Sequence, residues 1–166
     1  MGKTLAIGDI HTKIWIIEKV TKVINDYDKV IFCGDYADDF SASPQDTIHT
    51  WSALKDLQTK NQGKVELVTG NHDYIYVKYT PSLQSGYNPM THVLIDAPEN
   101  KNLKEWLAGL PVIIEIDGVS YSHAGIMSGP VLRILLAYGI IQALFGHVLE
   151  AVLRTNIPQI FGHTPS

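Results

Sequence analysis

Val65-Glu66-Leu67-Val68-Thr69-Gly70-Asn71-His72-Asp73 changes character partway along. Val65 to Val68 is a short valine-rich run, with Glu66 its one polar member, of the kind that forms a buried strand. Gly70 interrupts it, and an amide oxygen, an imidazole and a carboxylate follow in direct succession. A glycine there lets the backbone turn sharply where the strand ends, so the next side chain can face a crevice. The same arrangement recurs along the chain. Leu5 to Ile7 leads into Gly8-Asp9-Ile10-His11, and Val30 to Cys33 into Gly34-Asp35-Tyr36-Ala37-Asp38. Val119 to Ser122 leads into His123-Ala124-Gly125, and Gln159 to Phe161 into Gly162-His163-Thr164-Pro165. In four of these five blocks a glycine stands directly before the Asp, Asn or His: Gly8, Gly34, Gly70 and Gly162. Ligands of α/β proteins gather at the carboxyl ends of strands, so these five loops are placed to converge.

Amphipathic stretches fill the gaps between the strands. The pattern predicts helices over 13–25, 44–60 and 101–108, with Pro44 in the first turn of the second, and another from Val131 to Arg154. Val112 to Ile116 reads as a further strand, joined to the one at Val119 by the hairpin signal Asp117-Gly118. Residues 73–79 are hard to read, and 81–100, with Gly86, Pro89 and Pro98, reads as loop. Alternating strands and helices imply a layered α/β domain, and 166 residues suit one domain over 1–166.

Composition narrows the function. The chain is 45% hydrophobic and 18% charged, as in an ordinary soluble protein. Its 13 basic and 17 acidic residues leave a net charge of −4, without the positive footprint that nucleic acid or anionic lipid requires. Only Arg133 and Arg154 are arginines, so phosphate chemistry here cannot lean on guanidinium clamps. The single Cys33 excludes an internal disulfide, and the N-terminal apolar run is too short for a signal peptide, so the expected location is cytoplasmic. The segment from Val131 to Arg154 stands apart. Ile134 to Leu149 carries no formal charge over 16 residues, short of the ~20 needed to span a bilayer. A helix buried against a sheet or forming a homodimer contact is expected there, with a membrane contact as the minor alternative.

Taken singly, each motif has a plain explanation. A Gly-Asp after a strand is ordinarily a turn, and a lone histidine such as His123 is ordinarily a hydrogen-bonded core or surface residue. Five such blocks in order, each at a strand end, have no such explanation. Asp, Asn and His without cysteine suit hard-to-borderline divalent ions. An Asp-x-His pair can face one ion, a second Asp can bridge two, and Asn with two distant histidines can complete the second site. Two ions about 3.5–4 Å apart clamp the attacking and leaving oxygens of a displacement at phosphorus.

The blocks resemble the calcineurin-like metallophosphoesterase superfamily, whose pattern runs Asp-x-His, Gly-Asp-x-x-Asp, Gly-Asn-His-Asp/Glu, a lone His, and Gly-His-x-His or a variant. Ser122-His123-Ala124-Gly125-Ile126 and Gly162-His163-Thr164-Pro165 look most like the branch of phosphoprotein phosphatases and diadenosine tetraphosphatases. The resemblance implies a layered α-β-β-α sandwich with the metal site at the carboxyl ends of the strands. It implies that Asp9 and His11 hold a first ion, that Asp35 bridges, and that Asn71, His123 and His163 complete a second. His72 would protonate the leaving oxygen and Asp38 would fix the His72 tautomer; Asp73 would either join the site or support its loop. The implied cofactors are two divalent ions, Mn²⁺ first and Fe or Zn²⁺ as alternatives. The implied activity is hydrolysis of a phosphoester (phosphoprotein, nucleotide or small ester) by a metal-bridging water, with no phosphoenzyme.

Two departures qualify this expectation. Where the phosphatase branch carries an arginine after Gly-Asp-x-x-Asp, this chain has Asp39, which disfavours a monoester dianion and leaves room for a diester or a substrate held by lysine. His163 also lies three residues from Ser166, which predicts either a terminus pinned by metal and a partner or a second sheet shortened at its C-terminal end. The competing reading is a non-catalytic scaffold of the same fold that binds a protein through its apolar C-terminal helix. Complete ligand positions and an intact His72 favour catalysis. The remaining histidines read as bland: His49 and His92 as solvated, His147 as a hydrogen-bonded member of the apolar segment. Cys33 reads as a small buried hydrophobe, while Tyr74 and Tyr76 read as packing or pocket residues.

Overall fold

The computed structural model describes residues 2–77, 85–124 and 159–161. Three parallel strands form the first sheet in the order β1 (Thr4–Ile7), β2 (Lys29–Phe32), β3 (Val65–Leu67). Helices α1 (Ile14–Val23) and α2 (Pro44–Lys60) connect them. After β3 come α3 (Asn71–Val77), α4 (Pro89–Asp96) and α5 (Lys101–Ala108). The second sheet holds β4 (Ile113–Ile116), β5 (Val119–Ser122) and β6 (Gln159–Phe161), with β4 and β5 antiparallel and β5 and β6 parallel. Asp117 and Gly118 both take positive φ, 52° and 76°, which makes their hairpin the tight form expected of Asp-Gly.

Strand β2 explains the layering. Its side chains alternate between two apolar cores, as the pleat requires. Val30 and Phe32 pack into the helix-facing core with Val20, Trp51 and Leu54. Ile31, joined by Cys33 and Val68, instead packs with Tyr121 and, from the partly buried set, Ile114 and Ile116 of the second sheet. A strand buried on both faces reads as a continuous apolar run, and Val30 to Cys33 is one. The helix, sheet and sheet layers are therefore those expected. The segment from Val131 to Arg154, including His147, lies outside the described residues. Among the described residues, no helix is long and apolar enough to cross a membrane.

The structure resolves one stretch that is hard to read in the sequence and corrects one that reads as loop. Residues 71–77 form α3, and most of 89–100 is helical, as α4 and a 3-10 turn at Pro98–Asn100. Pro89 is a first-turn proline, and the Asn88 side chain caps the helix by accepting from the Met90 amide at 2.9 Å. His92 is accordingly buried, its Nδ1 3.0 Å from the Tyr87 hydroxyl, rather than solvated. His49 is exposed and Cys33 is buried, both as expected.

Candidate metal centre

The loops after β1 and β2 are tied to one another before any side chain is considered, and the loop after β3 joins them where the His72 amide donates to Asp35 Oδ1. The Ile10 and His11 amides both donate to the Asp35 carbonyl, at 3.1 and 3.0 Å, and the Thr12 amide donates to the Tyr36 carbonyl at 2.7 Å. His11, Asp35 and Asp38 take left-handed backbone angles, with φ of 39°, 54° and 65°. Non-glycine residues hold that conformation only where surrounding contacts enforce it, at a cost of about 1–3 kcal/mol each.

Within this frame, ligand atoms of Asp9, Asp35 and His123 lie within 4.8 Å of one another. His123 Nε2 is 3.2 Å from Asp35 Oδ2 and 2.8 Å from Asn71 Oδ1, so Asn71 joins the cluster. The His123 Nδ1 lies 3.0 Å from the Cys33 carbonyl, and the His11 Nδ1 lies 2.7 Å from the Ala37 carbonyl. An Nδ1–H held by a main-chain oxygen leaves Nε2 of each ring for a cation, the usual way ligand histidines are oriented. His11 is not among the three mutually close ligand residues; its ring stands edge-on to His72 with centroids 5.3 Å apart. His163 lies outside the described residues.

The donor set fits a divalent ion. Carboxylate, amide oxygen and imidazole nitrogen are what Mn²⁺, Fe or Zn²⁺ accept, and a buried carboxylate such as Asp35 is retained where it is paired or coordinates a cation. Burial alone would raise the Asp35 pKa, but hydrogen bonding and charge from His123, and then His72, hold it below the usual value. Burial works the other way on His123, whose pKa is nevertheless raised by its bond to Asp35 and the charges of Asp35 and Asp9. A cation at Nε2 must displace that proton. Metal affinity should therefore rise as pH climbs through the raised His123 pKa, with protons released on binding. Titrating the protein with Zn²⁺ in buffers of different ionisation enthalpy checks this, and a pH-independent affinity between pH 6 and 8 would contradict it.

His72 and Asp38 form a second constellation beside the first. His72 Nδ1 is 2.9 Å from Asp38 Oδ2, its Nε2 is 3.9 Å from Asp35 Oδ2, and its amide donates to Asp35 Oδ1 at 3.0 Å. Because a carboxylate only accepts, Nδ1 carries the proton and Nε2 faces Asp35. Burial would lower the His72 pKa, yet the Asp38 hydrogen bond and the Asp35 charge raise it above the usual imidazole value.

Asp73 supports the loop. It is fully buried and accepts from the Tyr36 amide (3.1 Å to each oxygen), the Trp51 Nε1 (2.9 Å) and the Gly70 amide (3.3 Å). Burial and the Asp35 charge push its carboxyl up to about 7. Asp73→Asn would set an NH₂ against these donors and should cost about 1–3 kcal/mol, the penalty of a buried unsatisfied polar group. Urea denaturation measures this, and an unchanged midpoint would rule the role out. Asp39 is likewise engaged: Ser41 donates through its hydroxyl and amide, and Lys13 Nζ lies 3.2 Å away. Ser41 first and Lys13 second hold Asp39 at about 2, so it stands as half of an ion pair rather than as a lone anion. Sequence reading missed that pairing, which joins two separate loops.

A family model described as calcineurin-like phosphoesterase matches residues 2–165. Among solved structures, a cold-active protein-tyrosine phosphatase of the psychrophile Shewanella sp. is similar at 24% identity and TM-score 0.56, over 89% of this chain and 49% of that one. A second structure of a cold-active protein tyrosine phosphatase gives the same identity and TM-score over 48% of its length. A metallophosphoesterase from Sphaerobacter thermophilus aligns over 74% of this chain and 47% of that one, at 20% identity and TM-score 0.49. The chain thus spans about half the length of these proteins, and the likeness is one of fold. No match is found among curated proteins.

Proposed function

The chain belongs to the calcineurin-like phosphoesterase family, and from that premise we propose that it hydrolyses a phosphoester with the help of two divalent ions. The observation that carries this reading is the meeting of Asp9, Asp35 and His123 ligand atoms within 4.8 Å, directly beside the His72–Asp38 pair. Asp9 and His11 would hold one ion, Asp35 would bridge, and Asn71, His123 and His163 would complete the second. When bound, such ions make water acidic enough to attack near neutral pH and draw off charge developing at phosphorus. Manganese is the expected ion in vitro, since oxygen donors mixed with imidazole suit it.

The protein's own groups divide the remaining work. His72 gives the Nε2 proton to the departing oxygen while Asp38 keeps Nδ1–H in place, a donor arrangement worth roughly 10²–10⁴ in rate. The Lys13–Asp39 pair is near-neutral overall and favours phosphodiesters or singly charged esters over monoester dianions. The substrate class proposed is a phosphoprotein, a nucleotide or a small phosphoester, in the cytoplasm. A manganese-supplemented assay comparing a monoester, a diester, diadenosine tetraphosphate and a phosphopeptide tests this. Turnover of at least one is expected; binding of two ions without any turnover would favour the scaffold reading.

A further inference from the structure

Tyr76 is fully buried on α3, and a buried phenol needs partners for its hydroxyl. It has two. The hydroxyl donates to Asp38 Oδ1 at 2.5 Å and accepts from the Asn88 amide at 2.9 Å. An amide N–H can only donate, so the Tyr76 proton is directed to the carboxylate. The other Asp38 oxygen takes the His72 Nδ1–H at 2.9 Å, so both oxygens are engaged from opposite sides. Asp38 sits at a φ of 65°, which needs outside contacts to persist. Gly86, itself at a φ of 78°, brings the turn before α4 so close that a Cβ there would lie 3.0 Å from the Asp38 Cβ. The Tyr76 ring is fixed as well, stacked on Tyr87 at 5.3 Å and edge-on to Trp51 at 5.5 Å.

We infer that Tyr76 is a positioning residue for the proton donor: its hydroxyl, locked by the Asn88 amide, holds Asp38 and through it the His72 ring. This rests on the reading of His72 as the group that protonates the leaving oxygen. Tyr76 keeps its own proton throughout; only the His72 Nε2 proton moves, to the departing oxygen. The turn at 86–88, which carries none of the metal-site motifs, thereby sets the aim of the acid. Without the hydroxyl, Asp38 Oδ1 and the Asn88 amide both lose a partner, and Asp38 is held only through its bond to His72.

The test compares wild type with Tyr76→Phe in the full chain loaded with Zn²⁺ and labelled with ¹⁵N-histidine. An alkyl phosphoester has a poor leaving group and needs the proton, whereas a p-nitrophenyl ester does not. For the alkyl ester kcat should fall about tenfold, part of the 10²–10⁴ a general acid supplies. The aryl ester should be nearly unaffected, with KM and metal content unchanged for both. The hydrogen-bonded Nδ1–H resonance of His72 should shift or broaden in the variant. Equal slowing of both esters would overturn the inference, as would an unchanged resonance with unchanged alkyl turnover. If the variant does not fold, the wild-type spectrum decides. A cross-peak between the Tyr76 hydroxyl proton and the His72 Nδ1–H supports the inference, and its absence overturns it. Wild-type protein with no turnover would defeat the hydrolase reading, while the His72 and Tyr76 resonances would still decide the positioning.

Discussion

Asp35→Asn is expected to remove the metal centre while leaving the fold intact. Asparagine matches aspartate in shape and tolerates the left-handed backbone that Asp35 occupies at a φ of 54°, so local strain should not change. The negative charge is lost, and an NH₂ group takes the place of one carboxylate oxygen. Those oxygens face the His72 amide at 3.0 Å and the His123 Nε2 at 3.2 Å, and asparagine can keep its oxygen on the amide while its NH₂ faces the imidazole nitrogen, where it offers a cation no charge. Bound ions should fall from two to one or none. Turnover should drop by about 10³-fold or more, since the several kcal/mol that such ions contribute amount to a tenfold rate change per 1.36 kcal/mol. Metal analysis beside steady-state kinetics checks both. A variant that kept two ions and normal turnover would refute the role of Asp35.

Gly70→Ala should fail in a different way, through the fold itself. A Cβ at Gly70 would lie 2.1 Å from the Asp35 amide nitrogen and 2.2 Å from Asp35 Oδ1. These contacts involve backbone and a carboxylate already held on several sides, so nothing nearby can yield. Gly34 meets Gly70 from the other side, where a Cβ would stand 2.8 Å from the Gly70 backbone. The two glycines let the loops after β2 and β3 touch, which is what brings Asn71 and His72 to Asp35. An added methyl must separate them and break the bonds from Gly70 to Asp73 and from His72 to Asp35. A loss of about 3 kcal/mol or more is expected, the upper end of single-substitution effects and typical of severe overpacking. The urea midpoint measures this; an unchanged midpoint with full metal binding would show that the loops can part freely.

The glycines before Asp9, Asp35 and Asn71 are why so much of this arrangement could be read from the chain. Gly34 and Gly70 mark the places where strands end and backbones meet, and the apolar runs before them alternate between two cores as a doubly covered sheet must. What escaped reading depends on contacts between distant segments. Pro89 signals a loop as readily as a helix start, and only the Asn88 cap distinguishes the two. Asp73 belongs to the most informative motif yet faces away from the ion ligands. Asn71 opens α3, and each further residue turns about 100° around the helix axis. The same geometry puts Tyr76 one turn after His72, on the same face, where both reach Asp38. That i,i+4 spacing was present in the sequence, but nothing in it says that Asp38 lies opposite. The Lys13–Asp39 pair escaped for the same reason, since each residue is unremarkable alone.

All of this turns on whether the strand-end loops form one catalytic centre that needs its ions. The most direct measurement strips the protein with a chelator, returns Mn²⁺ in small steps, and records bound metal and phosphoester turnover on the same samples. Turnover is expected to be absent without metal and to reach its plateau as the second equivalent per chain binds. Turnover that survives the chelator, or that saturates with no metal bound, would contradict the account.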